Sequence, residues 1–245
     1  HSSGNHAQAV ARAARDAGVH ATIVMPRQSP DIKRAATEAL GAEIVLVDIS
    51  ERGSAMERLQ EESGAVFVSP FDNVDVIAGQ GTIGLEVHDD LPVVGTVLVP
   101  VGGGGLISGV AVALKARNPD VRVVGVEPEL AGDLAEGFAR GERVVWDSAS
   151  TGRTIADGLR VTEVGEINWR HIRSLVDAVV TVSEEQIRFA MRSVVLGTKL
   201  VSEPSGAVAV AGYLAHPEVL GAGPAVAVVS GGNVEPTLLA EVLVG

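Results

Sequence analysis

The sequence predicts an α/β protein of two domains with mainly parallel sheets. Three observations carry that expectation. Short β-branched runs alternate with segments of helical periodicity along the whole 245 residues. One such run passes through four consecutive glycines directly into a helix. The composition is 46% hydrophobic and only 3% aromatic, which suits closely packed helices over buried strands and allows a large core.

The elements follow in order. Residues 6–17 read as a helix with Ala9, Val10, Ala13 and Ala17 on one face and Gly18 as its stop. Residues 20–25 form a strand closed by Pro26. Ser29-Pro30-Asp31 supplies a cap, a first-turn proline and an acid for a helix that ends at Gly41. Strand 43–47, helix 54–63 and a third strand, Val66-Phe67-Val68, complete the first domain, residues 1–71. The turn-rich stretch 69–73 marks the boundary, and residues 72–245 make the larger domain. There a helix over 74–87 precedes the strand Thr96-Val97-Leu98-Val99-Pro100, the glycines and a helix with Leu106, Val110, Ala113 and Leu114 at helical spacing. Strand 122–126, a short helix over 133–140 and an irregular segment, 141–160, come next; loops of that length tend to be functional. A helix over 166–175, strand 178–182, a helix opened by Ser183-Glu184-Glu185, a helix from about Ser205, a buried strand 225–229 and a helix over 235–243 close the chain. In open parallel sheets, ligands sit at the carboxyl ends of the strands.

Composition excludes several classes of function. The net charge of −12 leaves nothing to offset phosphate repulsion in nucleic-acid binding. No stretch is long and apolar enough to cross a bilayer, and no signal-peptide pattern opens the chain. Without cysteine, thiolate catalysis, thiolate metal sites and disulfides are ruled out. The expectation is a soluble cytoplasmic protein.

Three polar or glycine-rich turns carry the chemistry. At Gly102, Gly103, Gly104 and Gly105 the missing Cβ atoms let several N–H groups converge on one anion at a helix N-terminus, and a phosphate is the natural occupant. A plain flexible turn is the alternative. No Gly-Lys-Ser/Thr follows, so this is not a Walker loop, and the spacing lacks a full dinucleotide fingerprint. Ser2-Ser3-Gly4-Asn5-His6 groups two hydroxyls, an amide and an imidazole at a helix start, where a simple cap would also explain them. Ser230-Gly231-Gly232-Asn233 follows the last strand, with Ser230 free to act as a cap or to face the glycine crevice.

Together these turns resemble the serine/threonine dehydratase and serine racemase family of fold-type II pyridoxal-phosphate enzymes. Further matches run in family order across the chain: Ala78-Gly79-Gln80-Gly81-Thr82, Thr154-Ile155-Ala156-Asp157-Gly158 and Glu203-Pro204-Ser205-Gly206. His6-Ala7-Gln8 points to the dehydratase branch. The resemblance implies two α/β domains of the tryptophan synthase β-subunit-like type and a pyridoxal 5′-phosphate cofactor. It also implies elimination of water from L-threonine or L-serine to give a 2-oxo acid and ammonia. In that light Gly102 to Gly105 would hold the cofactor phosphate, Asn5 its phenolic oxygen, and Ser230 its ring nitrogen. Ser2 and His6 would bind the substrate carboxylate, and Ser3 would exchange the Cα proton on the face opposite the family's Schiff-base lysine. Arg52 falls near a carboxylate-binding position in some members. Glu127, Asp133 and the Ala131 carbonyl resemble the racemase-like Mg²⁺ or Mn²⁺ loop; a solvated acidic loop is the alternative. The family places its lysine ahead of the Ser-Ser-Gly-Asn motif, where this chain starts; Lys33, Lys115 (on a surface-like helix end) and Lys199 lie outside that motif. The expectation is therefore that these 245 residues belong to a longer protein and would not turn over alone. A serine racemase or hydroxyaspartate dehydratase on the same scaffold, or a non-catalytic phosphate-binding module, remain open. Partners would be a small amino-acid substrate and further copies of the chain in a dimer or tetramer.

Overall fold

In the computed structural model, residues 4–29 and 31–244 are described. The chain divides into two compact units, His1–Pro70 and Phe71–Gly245.

In the first unit, α1 (Asn5–Ala17), β1 (Thr22–Pro26), α2 (Asp31–Ala39), β2 (Glu43–Val47) and α3 (Arg52–Ser63) alternate. β1 and β2 pair in parallel, from Thr22 opposite Glu43 to Pro26 opposite Val47. One face of this pair packs Ile23 and Met25 against Ala7 and Ala11 of α1; the other packs Val24 and Val47 against Ala55 of α3. The side-chain period of two in a strand produces this division. Gly18 and Gly64 follow α1 and α3 at φ 67° and 66°, the left-handed stop that glycine adopts without strain. Two expectations fail here. Residues 66–68 form no strand: Val66 is 88% exposed, and a β-branched run becomes a strand only where a ladder partner exists. Ser29 does not cap α2 through its side chain, whose buried hydroxyl has no partner among the described residues.

The second unit carries α4 (Val74–Asp90), β3 (Thr96–Pro100), α5 (Gly105–Arg117), β4 (Arg122–Pro128), α6 (Asp133–Arg140), α7 (Ser148–Thr151), α8 (Glu166–Leu175), β5 (Ala178–Val182), α9 (Glu184–Thr198), α10 (Pro204–Ala215), β6 (Ala225–Ala227) and α11 (Pro236–Val244). Its parallel sheet has the order β5-β4-β3-β6. Val97, Val99 and Val123 face a core shared with α5 and α8. Leu98, Val124 and Val126 face the opposite layer of α9, α10 and α11. Both faces are covered, so the strands read as continuous apolar runs. The irregular segment is only partly irregular: it holds α7 and a 3-10 turn, Asp157–Leu159. Ser183 and Gln186 form a reciprocal capping box at the start of α9. That helix ends at Lys199 in the left-handed region, φ 66°.

The buried strand expected over 225–229 is corrected on two points. The ladder strand is Ala225–Ala227, half-buried, and it lies at an edge of the described sheet, paired to β3 alone. Lys115 is likewise not a surface residue; its ammonium lies 3.0 Å from Asp177 with the side chain 16% exposed.

Candidate active site

Parallel register gathers the candidate residues of the second unit at the carboxyl end of the sheet. Pro100 lies opposite Val126 and Leu98 opposite Ala227, so the glycine loop, Glu127 and Ser230 all follow the carboxyl ends of neighbouring strands. The last β3–β4 bond runs from the Val101 N–H to the Val126 carbonyl, 2.9 Å. Beyond it, the amides of Gly102, Gly103, Gly104, Gly105, Leu106 and Ile107 find no acceptor among the described residues, although all but Leu106 are buried. Buried peptide N–H groups are almost always paired. A row of them at the start of α5, where the helix dipole is positive, fits a phosphate. The chain thus meets the main demand that a pyridoxal phosphate cofactor makes of it.

The loop is squeezed from its other side. A Cβ on Gly103 would fall 2.2 Å from the Phe71 ring, and one on Gly105 2.9 Å from the Phe71 carbonyl. On Gly104, whose φ is +88°, a Cβ would lie 3.0 Å from Ile172 and Val164 and 3.1 Å from Asn168. The Gly103 carbonyl accepts from Asn168 Nδ2 at 2.7 Å and from the Gly165 N–H at 3.1 Å. Asn168 Nδ2 also reaches the Phe71 carbonyl at 3.1 Å. The Asp72 carboxylate receives the first amides of α8, from Glu166, Ile167 and Asn168, at 3.1, 2.9 and 3.4 Å.

Ser230 is exposed, and its turn is braced from below. The Gly231 carbonyl accepts from the Glu203 N–H at 3.0 Å, and a Cβ on Gly206 would stand 2.4 Å from it. Ser205 Oγ takes the Gly158 N–H at 2.9 Å. The Glu203-Pro204-Ser205-Gly206 motif thus supports the turn that carries Ser230.

Glu127 is fully buried and Asp133 is 1% exposed. The Glu127 carboxylate accepts the Leu134 and Ala135 amides at 3.3 and 2.8 Å, capping α6. Burial and the neighbouring Asp133 charge push its carboxyl well above the usual range. Burial pushes Asp133 up to about 7, with the charge of Glu163 adding to it. Neither oxygen of Asp133 has a hydrogen-bond partner among the described residues, and Asp133 lines a small recess with Arg143, Val164 and Trp169. Ala131, the third expected ligand, is buried on the turn between β4 and α6. Among the described residues no three His, Cys, Asp or Glu side chains form a metal array. A cation here would rest on two carboxylates and a carbonyl, and the orphaned Asp133 oxygens fit that donor set.

In the first unit, Asn5 opens α1 and is exposed. His6 Nε2 bonds the Val68 carbonyl at 3.2 Å; burial lowers its pKa against the raising effect of that bond, so the ring is neutral at pH 7. Ser2 and Ser3 lie outside the described residues. Sequence reasoning missed Phe71, Asp72 and Asn168. Their partners are too distant along the chain for any local pattern to show them.

Comparison with known proteins bears on the same site. A family described as pyridoxal-phosphate dependent enzyme matches residues 1–231. L-threonine ammonia-lyase of Thermotoga maritima is 45% identical over 246 residues, covering 99% of this chain and 60% of its own length. A catabolic L-threonine dehydratase of Staphylococcus aureus is 42% identical over 99% of this chain and 70% of its own. The structure of maize serine racemase superposes with a TM-score of 0.92 at 40% identity, over 98% of this chain and 74% of that one. The chain thus spans about three fifths of the length of the Thermotoga relative. No helix among the described residues is long and apolar enough to cross a membrane.

Proposed function

The chain belongs to the pyridoxal-phosphate dependent enzyme family, and from that premise we propose that the protein is a dehydratase that eliminates water from L-threonine or L-serine to give an enamine, whose hydrolysis takes up a water and yields a 2-oxo acid and ammonia. The observation that carries the reading is the row of mostly buried amides from Gly102 to Ile107 at the helix start, unpaired among the described residues. The names of the most similar relatives support the same reaction class.

The roles divide among the chain's own groups. The glycine-loop amides hold the phosphate. Asn5 donates to the phenolic oxygen, and Ser2 and His6 orient the substrate carboxylate; a neutral His6 does so by hydrogen bonding rather than by charge. Bound there, pyridoxal phosphate supplies an electron sink for charge developing at the substrate Cα. Ser230 faces the ring nitrogen with a hydroxyl, which cannot hold that nitrogen protonated as a carboxylate would. Such a hydroxyl partner would suit elimination, in which the substrate's β-oxygen departs with a proton as water. Glu127, Asp133 and the Ala131 carbonyl hold Mg²⁺ or Mn²⁺, a role supported by the two unpartnered Asp133 oxygens. The active form is a homo-oligomer.

The likeness to maize serine racemase favours a second activity, racemisation, with Ser3 delivering a proton on the second face. One experiment tests both. With the full-length protein, which carries the segment expected ahead of residue 1, loaded with pyridoxal 5′-phosphate, 2-oxo acid release is measured from L-threonine, L-serine and D-serine. Release from the L-substrates is expected, and its absence at full cofactor occupancy would remove the dehydratase reading. Ser3→Ala should abolish release from D-serine and spare the L-substrates; equal loss on both hands would reduce Ser3 to substrate orientation.

A further inference from the structure

The direction of a peptide N–H is set by whatever holds the carbonyl across the same bond. In a planar trans peptide the two point opposite ways, and the described chain contains no cis bond. The Gly103 carbonyl therefore governs the Gly104 N–H. That carbonyl is held by two donors from the α8 side: Asn168 Nδ2 at 2.7 Å and the Gly165 N–H at 3.1 Å. The Gly104 N–H consequently points away from α8 and has no acceptor among the described residues.

Such a lock has work to do at this bond. With glycine on both sides, no Cβ resists rotation of the peptide plane. A flipped plane would aim the Gly103 carbonyl where the anion binds and withdraw a donor. Asn168 is placed to prevent that. It is fully buried, and its Nδ2 serves both the Gly103 and Phe71 carbonyls, so a reversed amide would face two carbonyl oxygens with a third. Its backbone is anchored by the Asp72 carboxylate on the first amides of α8.

We propose that Asn168 is a positioning residue that fixes the Gly103–Gly104 peptide plane and thereby sets the affinity of the glycine loop for a phosphate group. The proposal deepens, and rests on, the assignment of this loop as the phosphate cradle. Aspartate at 168 keeps the shape but cannot donate when ionised, and alanine removes the contact.

The test is binding of inorganic phosphate and of pyridoxal 5′-phosphate to wild type, Asn168→Asp and Asn168→Ala, followed by titration and by the Gly104 amide resonance. In wild type the Gly104 ¹⁵N–¹H signal should move downfield with phosphate. Both variants should bind about tenfold or more weakly, the loss expected for one charge-assisted hydrogen bond, with that movement gone and other loop amides still responding. A merely structural role would lower the melting temperature and leave the affinity and the Gly104 shift of the folded fraction unchanged, which overturns the proposal. Wild type alone is also decisive: a Gly104 amide that ignores phosphate while its neighbours respond overturns the positioning role, whatever the variants' folding yield. Failure of wild type to bind phosphate at all overturns the cradle itself and the inference with it.

Discussion

Gly104 illustrates how a residue can be needed for a reason its sequence context does not show. The glycine run suggests that a side chain there would intrude on the anion. The structure aims that side chain instead at Ile172, Val164 and Asn168, and the left-handed φ of 88° adds strain for any L-residue. Gly104→Val should therefore push α8 away and misalign the loop amides. Cofactor affinity should drop by about a hundredfold, roughly 3 kcal/mol, as read by absorbance titration; an unchanged affinity would refute the loop assignment. The acidic pair is a second case. Asp133 rises from 3.8 to about 7 on folding, so between those values the folded state keeps a proton that the unfolded state has lost. Stability must then fall as pH rises from 4 to 7 and level off above, by up to about 4 kcal/mol from this group in metal-free protein. Melting curves in chelator should show that fall, and Asp133→Asn should reduce it, the raised Glu127 carboxyl leaving a remainder of the same sign. Mg²⁺ should raise the melting temperature increasingly above pH 7 in wild type, because it needs the ionised form, and do so hardly at all in the variant. The glycines, Ser230 and the acids could be picked out as candidates because each sits in a compact local motif. Asn168 could not: the carbonyl it holds lies 65 residues away.

Between elements, the tightest fit is α4 against α5. A Cβ on Gly109 would stand 2.2 Å from the Ile77 carbonyl and 2.6 Å from the Gly81 nitrogen, and one on Gly84 2.9 Å from the Ala113 methyl. The helices meet backbone to backbone, which a composition poor in aromatics permits. Gly109→Ala should cost about 3 kcal/mol by forcing them apart, measurable by denaturant unfolding. It should weaken cofactor binding too, because α5 carries the loop; a loss within 0.5 kcal/mol would mean that the seam yields easily. Helix positions and the core strands β3 and β4 were readable from periodicity, caps and apolar runs. The misread pieces, 66–68 and 225–229, share one cause: strand character was taken from β-branched residues, whereas a strand's existence and burial depend on its neighbours in the ladder.

Across the whole molecule, the second unit contains the glycine loop, the groups described as pressing on it, Phe71, Val164, Asn168 and Ile172, and the Asp72 carboxylate that anchors α8. A fragment of residues 71–245 should accordingly keep its secondary structure by circular dichroism and bind inorganic phosphate within about threefold of the whole chain, a difference of roughly 0.7 kcal/mol. Loss of binding in a folded fragment would show that the first unit completes the cradle. The glycine contacts also bear on how such a chain can change by descent. Gly103 is opposed by a side chain, the Phe71 ring, so a lineage could enlarge position 103 after first reducing position 71, two ordinary steps in a fixed order. Gly109 is opposed by the main chain of α4, and no exchange of side chains can make room there. The first glycine is negotiable in a pair; the second is closed to inheritance of anything larger.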